Sequence, residues 1–440
     1  MNGFYRILAY LIYLPNIMPL KMLFSSEIFP WAFIYSLRRN LSITLAYAIF
    51  VVYLITSAAL MLGNFTSILV PARALFALLN ASMIFFILIK IGDEEFKFLN
   101  KAFEWVFFTN IILGVIQFFG MFPEFLGPVM RIFIDRFTVE PHGFGRGVAG
   151  LFAEPSYMSM SIHYYFAYFM LKRRIIHTSM AGYVAISAII LFDIFIIRSI
   201  TGIVMILVYL ASLQKLRNLL RAFGILVIVS IAILFIARQV TELPRSIEFT
   251  IDFVQDQHYK DPIPILLDQS GFRFVSVWAA YRYGFTHPFG SGIGGWGNAS
   301  IEAMDDIGIP ASMIGFFATA ANAEYDGVRP TSFAAGLMLE TGIVGLVLFM
   351  IAFWPFVRRK ALFKDPLTRP VVILFLFNIF ALGSIGDPLP FIFFALAYRS
   401  IFKPDGTEPE IEPADTMVPV QADTAPSGEL ISDSDTYGKG

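Results

Sequence analysis

The chain has no cysteine among its 440 residues. That absence excludes a thiol nucleophile, a disulfide framework and a Cys-ligated zinc. Charge is scarce as well: Asp, Glu, Lys and Arg make up 15% of the chain, against about 25% in a soluble domain. The five histidines are scattered, and no two stand at metal-ligand spacing, so neither a metal nor a cofactor is expected. Apolar residues fill the gap. They make up 57% of the sequence, with 48 phenylalanines, and mean hydropathy is +0.70. A soluble body of this size cannot hide that much apolar surface. An ordinary cytosolic enzyme, a nucleic-acid binder and a disordered protein are therefore excluded, and lipid must be the solvent for most of the chain.

The net charge of −1 conceals an asymmetry. Pro404 to Gly440 holds nine acids and one base, Lys439, so this tail carries −8 and residues 1–403 carry +7. The tail is rich in Pro, Ser, Thr and Asp and has no apolar periodicity, which reads as disorder. Two parts follow: a basic membrane body over 1–403 and an acidic tail over 404–440.

A membrane-crossing helix needs about 20 mostly apolar residues. Candidate spans are 41–62, 68–90, 99–122, 156–171, 178–197, 200–214, 220–237, 332–357, 370–383 and 388–400. The apolar stretch 4–24 is interrupted by Pro15 and Pro19, and 27–37 reads as interfacial or as a short crossing. The expected fold is therefore all-α and polytopic, with about 10–12 crossings. The N-terminus shows no small-residue cleavage site, so no cleavable signal peptide is expected. Basic clusters at Arg38-Arg39, Lys97 and Lys101, Lys172 to Arg174, Lys215 to Arg221 and Arg358 to Lys360 fall on one side if the spans alternate. That side should be the cytoplasm. Two long connections, about 123–155 and 238–330, then face outward, and the tail lies inside. The second connection is aromatic-rich and should fold as helices on the membrane surface. No repeat period emerges.

Three segments carry chemistry. The first runs from Phe144 to Tyr157 and contains Gly145-Arg146-Gly147, Gly150 and Glu154-Pro155. Pro155 suits a first helical turn, which puts Glu154 at the cap. Glu154 is then either a cap alone or a group that meets a ligand. Arg146, between glycines and near a helix N-terminus, is either a snorkelling cation or a phosphate ligand. The second segment, Asp268 to Gly297, reads as an amphipathic helix carrying Arg273 and Arg282, followed by the glycine-rich run His287-Pro-Phe-Gly-Ser-Gly-Ile-Gly-Gly. Its formal G-x-G-x-x-G match at Gly290 to Gly295 lacks the preceding strand of a dinucleotide fold and is rejected. The third segment leads from Arg329 into a span and ends Glu340-Thr-Gly-Ile-Val-Gly345. Its small residues permit close helix packing, so Glu340 has a structural reading beside a substrate-binding one. His163, Asp193, Arg198, Asn378 and Asp387 are polar residues in or at the ends of spans and are candidates on that ground. Asp305-Asp306 reads as a solvated turn.

In this order and on one side of a polytopic protein, these segments resemble the Wzy-type O-antigen polymerases and the O-antigen ligases. Those are bacterial membrane glycosyltransferases of the GT-C type. The likeness rests on Arg146, Gly150 and Glu154-Pro155, then Arg273, then His287 to Gly294, then Ser332 to Gly345. It covers about 140–350. The ligases often carry a His-Asn pair about nine residues before the last Glu, where this chain has Thr331-Ser332, and that departure favours a polymerase.

The resemblance implies transfer of an undecaprenyl-diphosphate-linked glycan to a sugar hydroxyl at the periplasmic face of the inner membrane. It implies diphosphate binding by Arg146 and Arg273, a hydroxyl-binding or basic role for Glu154, and substrate contacts from Arg329, Arg282, His287 and Glu340. Diphosphate is a good leaving group, so no metal is required, and positive charge and orientation are what a site must supply. The implied partners are the lipid-linked oligosaccharide and the bilayer, with a chain-length regulator and a flippase beside them, and no nucleic acid. The competing readings are a ligase acting on lipid A-core, a flippase or other transporter, and a membrane scaffold or sensor.

Overall fold

The computed structural model describes residues 3–18, 29–37, 41–62, 68–134, 147–213, 273–309 and 329–402. Among them there are helices and no strands, apart from one isolated bridge between Ile17 and Ile134. The helices are α1 Gly3–Leu11, α2 Pro30–Leu37, α3 Leu45–Met61, α4 Leu69–Leu88, α5 Asp93–Phe118, α6 Leu126–Phe133, α7 Pro155–Arg173, α8 Met180–Leu191 and α9 Ile200–Leu213. After the second long connection begin α10 Arg273–Thr286, α11 Trp296–Asp306, α12 Phe333–Val357, α13 Lys360–Lys364, α14 Thr368–Phe380 and α15 Leu389–Ile401. A π-helical turn, Phe192–Ile197, continues α8.

Four helical stretches are long and apolar enough to cross a membrane: α4, α5, α8 with its π turn, and α12. The shorter α3, α9, α14 and α15 are apolar as well. The chain is an all-α membrane protein. Helix α2 has eight residues, which reach about 12 Å and not the ~30 Å of a hydrocarbon core. The stretch 27–37 therefore makes no helical crossing within its described residues. The expected span 220–237, the tail, and much of both long connections lie outside the described residues.

Helices α7 and α15 form the middle of the bundle. Every residue from Leu389 to Arg399 is buried, and so is nearly all of Met158 to Leu171. Phe393 of α15 lies 5.4 Å from the ring of Tyr165 and 5.9 Å from that of Tyr164. Around this centre α3, α5 and α8 leave Val52, Trp105, Ile112 and Val184 exposed, as helices that face lipid do. Some Tyr hydroxyls inside the bundle find backbone acceptors, Tyr13 donating to Leu99 O at 3.3 Å and Tyr164 to Leu374 O at 2.8 Å. Pairing of this kind lowers the cost of a polar group in an apolar interior.

Two polar side chains of α5 hold the loop that enters α7. Gln117 accepts the Gly150 N–H at 2.8 Å, and Asn110 accepts the Leu151 N–H at 3.2 Å. Gly150 takes φ of +57°, which favours glycine. The same loop lies so close to the π turn that a Cβ on Gly147 would fall 1.8 Å from the Ile197 carbonyl oxygen.

Candidate functional site

Arg273 and Glu154 meet across 119 positions of sequence. Arg273 Nη2 lies 3.5 Å from Glu154 Oε2 and donates to Ser156 Oγ at 3.1 Å, while Nη1 donates to Thr201 Oγ1 at 3.2 Å. The guanidinium is thus gripped by the first turns of α7 and α9. Pro155 at the first position and Glu154 in extended conformation start α7 here, and the turn after Arg198 starts α9. Both helices start beside the guanidinium, so their positive dipole ends lie near the same place. The Arg273 and Glu154 side chains keep 27% and 30% of their surface accessible. A half-open cation between two helix N-termini, flanked by hydroxyls and one carboxylate, is equipped to receive an anionic group and a hydroxyl together.

The glycine-rich run and the third segment form a separate unit. Gly342 breaks α12 with φ 62° and ψ −166°, and the loop 287–295 fills the break. Pro288 O accepts the Val344 N–H at 3.2 Å, and Leu339 O accepts the Ser291 N–H at 3.0 Å. The Thr341 carbonyl accepts from the Tyr53 hydroxyl at 2.9 Å. Three backbone groups at the break, the Val344 N–H and the Leu339 and Thr341 carbonyls, are in this way satisfied within the protein, as irregular backbone in an apolar setting requires. A Cβ on Gly290 would fall 2.5 Å from the Glu340 backbone, and one on Gly342 would fall 2.1 Å from the Pro288 oxygen. These glycines admit backbone to backbone contact.

Arg329 and Glu340 lie in this same unit. Their side chains pair at 2.7 Å with 6% and 0% accessible surface. Glu340 Oε2 also accepts the Gly294 N–H at 2.9 Å, and the Arg329 guanidinium stacks over Trp296 at 5.0 Å. The pair ties α12 to the glycine loop and to α11. The His287 ring stacks on Tyr283 at 4.1 Å, and the Tyr283 hydroxyl donates to Glu302 at 3.4 Å. Burial first, and the charge of Glu302 second, push that hydroxyl up to about 12. Arg282 is exposed on α10. Asp305 and Asp306 end α11 and are exposed.

Of the residues singled out in the sequence, Arg273 and Glu154 are brought together, Arg329 and Glu340 are brought together elsewhere, and Arg146 lies outside the described residues. Ser156 and Thr201 had no signal in the sequence. A hydroxyl in an apolar helix usually bonds its own backbone, and only the fold shows that both face one arginine. Comparison of the chain with family models, with curated proteins and with solved structures finds no match.

Proposed function

We propose that the protein is a membrane glycosyltransferase of the GT-C type, a polysaccharide polymerase acting on undecaprenyl-diphosphate-linked repeat units. The observation that carries this reading is the half-exposed Arg273, clasped by Glu154, Ser156 and Thr201 at the starts of two helices. In the reaction, a hydroxyl oxygen of one lipid-linked unit attacks the anomeric carbon of another. The bond from that carbon to the diphosphate oxygen breaks, and the diphosphate keeps the electron pair. Arg273 and the helix dipoles stabilise the charge that develops there, with Arg146 as a second cation. Glu154 accepts a hydrogen bond from the attacking hydroxyl and takes its proton as the new bond forms. In this reading the site faces the periplasm from the inner membrane of a bacterium. Thr331 and Ser332, standing where ligases often carry His-Asn, favour the polymerase over the ligase. In the structure Ser332 caps α12, accepting the Ala335 N–H at 3.2 Å and donating to Ile379 O at 2.9 Å.

Deleting the gene and resolving surface polysaccharide by electrophoresis tests this reading. Loss of a polymerase leaves a single repeat unit on its carrier. Loss of a ligase leaves no unit on the final acceptor, and loss of a flippase traps units inside. Either of the last two patterns would overturn the proposal.

A further inference from the structure

Beneath the Arg273 clasp lies a second polar cluster, wholly buried. Asp193, in the π turn, is 1% exposed, as is His163 of α7. Ser159 Oγ donates to Asp193 Oδ2 at 2.8 Å, and His163 Nδ1 lies 3.5 Å from the same oxygen. His163 Nδ1 also lies 2.8 Å from the Ser159 carbonyl. A carbonyl only accepts, so Nδ1 carries the hydrogen. On the other side, Asp193 presses on α9, where a Cβ on Gly202 would fall 2.3 Å from both carboxylate oxygens. Asp193 Oδ1 and His163 Nε2 have no hydrogen-bond partner among the described residues. A buried polar atom without a partner is destabilising, so such a cluster is poor material for stability alone. π turns inside helices also concentrate at functional sites.

The two helices that Asp193 touches are the two that grip Arg273. Ser159 stands three residues after Ser156, hence on the same face of α7, and Gly202 directly follows Thr201. Building on the diphosphate reading above, we infer that Asp193 is a positioning residue: it sets the starts of α7 and α9 so that Ser156 and Thr201 close on Arg273. The π turn serves this arrangement by bringing the carboxylate between the two helices. Ser159 and Gly202 are its partners, one by hydrogen bond and one by absence of a side chain.

The test uses the full-length protein purified in detergent, with two readouts. The first is the affinity for undecaprenyl diphosphate of Asp193→Asn, Ser159→Ala and Gly202→Ala, each made with the native Arg273 and again in an Arg273→Lys background. With Arg273 present, each variant should lose about tenfold in affinity, the scale of one charge-assisted hydrogen bond. In the Arg273→Lys background each should lose little more than that substitution alone. The same loss in both backgrounds, or no loss in either, would overturn the inference. The second readout is amide hydrogen exchange over the first turns of α7 and α9, which should quicken in all three variants; unchanged exchange would overturn the inference as well. Ser159→Ala removes one hydroxyl and keeps the test open if Asp193→Asn does not fold. Should the unmodified protein fail to bind the diphosphate, the reading of the site falls, and exchange still decides for or against the role of Asp193.

Discussion

The Arg273 guanidinium does something a lysine cannot. It reaches Thr201 with one terminal nitrogen and Ser156 and Glu154 with the other, and such a planar fork suits a diphosphate as well. Arg273→Ala should therefore abolish polymer, and Arg273→Lys should leave much less than the native residue. Loss of a charge-assisted contact to the leaving group costs about 3 kcal/mol in the transition state, roughly a hundredfold in rate. The measurement is polymer per unit of inserted protein, with Arg245→Ala expected to stay active. A fully active Arg273→Lys would refute the fork, and a fully active Arg273→Ala the site. Glu154 could be picked from the sequence as the residue before a Pro that suits a first helical turn, and Arg273 came only with the resemblance to the polymerases. That they touch was not legible, since nothing local links two residues 119 positions apart. Asp193 was legible as an intramembrane acid, but its place between Ser159 and Gly202 depends on a π turn that no apolar period announces.

At the scale of elements, hydropathy marked the apolar helices among the described residues, because a helix in lipid must satisfy its own backbone. Of the roughly 10–12 crossings expected, four described stretches are long and apolar enough to span. Hydropathy said little about where a helix breaks. The small residues Gly336, Gly342 and Gly345 permit close helix packing, and at Gly342 the fold shows what approaches: Pro288 and Gly290 of the loop 287–295 lie against the break in α12. The buried pair Arg329–Glu340 closes this unit. The resemblance implies a substrate contact for both, with a helix-packing reading open beside it for Glu340; in the fold each has the other as partner at 2.7 Å. Arg329→Ala should then act on stability, because it leaves a buried carboxylate without its cation, a cost of about 3–5 kcal/mol. Arg329→Met combined with Glu340→Gln should recover most of it, since Gln removes the charge and still accepts the Gly294 N–H. Thermal unfolding in detergent checks this. An Arg329→Ala protein of native stability that has lost activity would return Arg329 to the substrate.

For the molecule as a whole, the Lys and Arg bias predicts an orientation. If the basic clusters lie inside, the starts of α7, α9 and α10 should share the outer side with the long connections, and the acidic tail should face the cytoplasm. Reporter fusions at Gln257 and Asp415 should report opposite compartments, and the same compartment for both would reverse or break this topology. The most direct measurement is synthesis by the purified protein in liposomes supplied with one undecaprenyl-diphosphate-linked oligosaccharide and a chelator. A polymerase built around Arg273 should convert single units into a ladder of longer lipid-linked chains, and Arg273→Ala should leave them as single units. Single units left unextended by the native protein, or a ladder that Arg273→Ala makes equally well, would contradict the assignment.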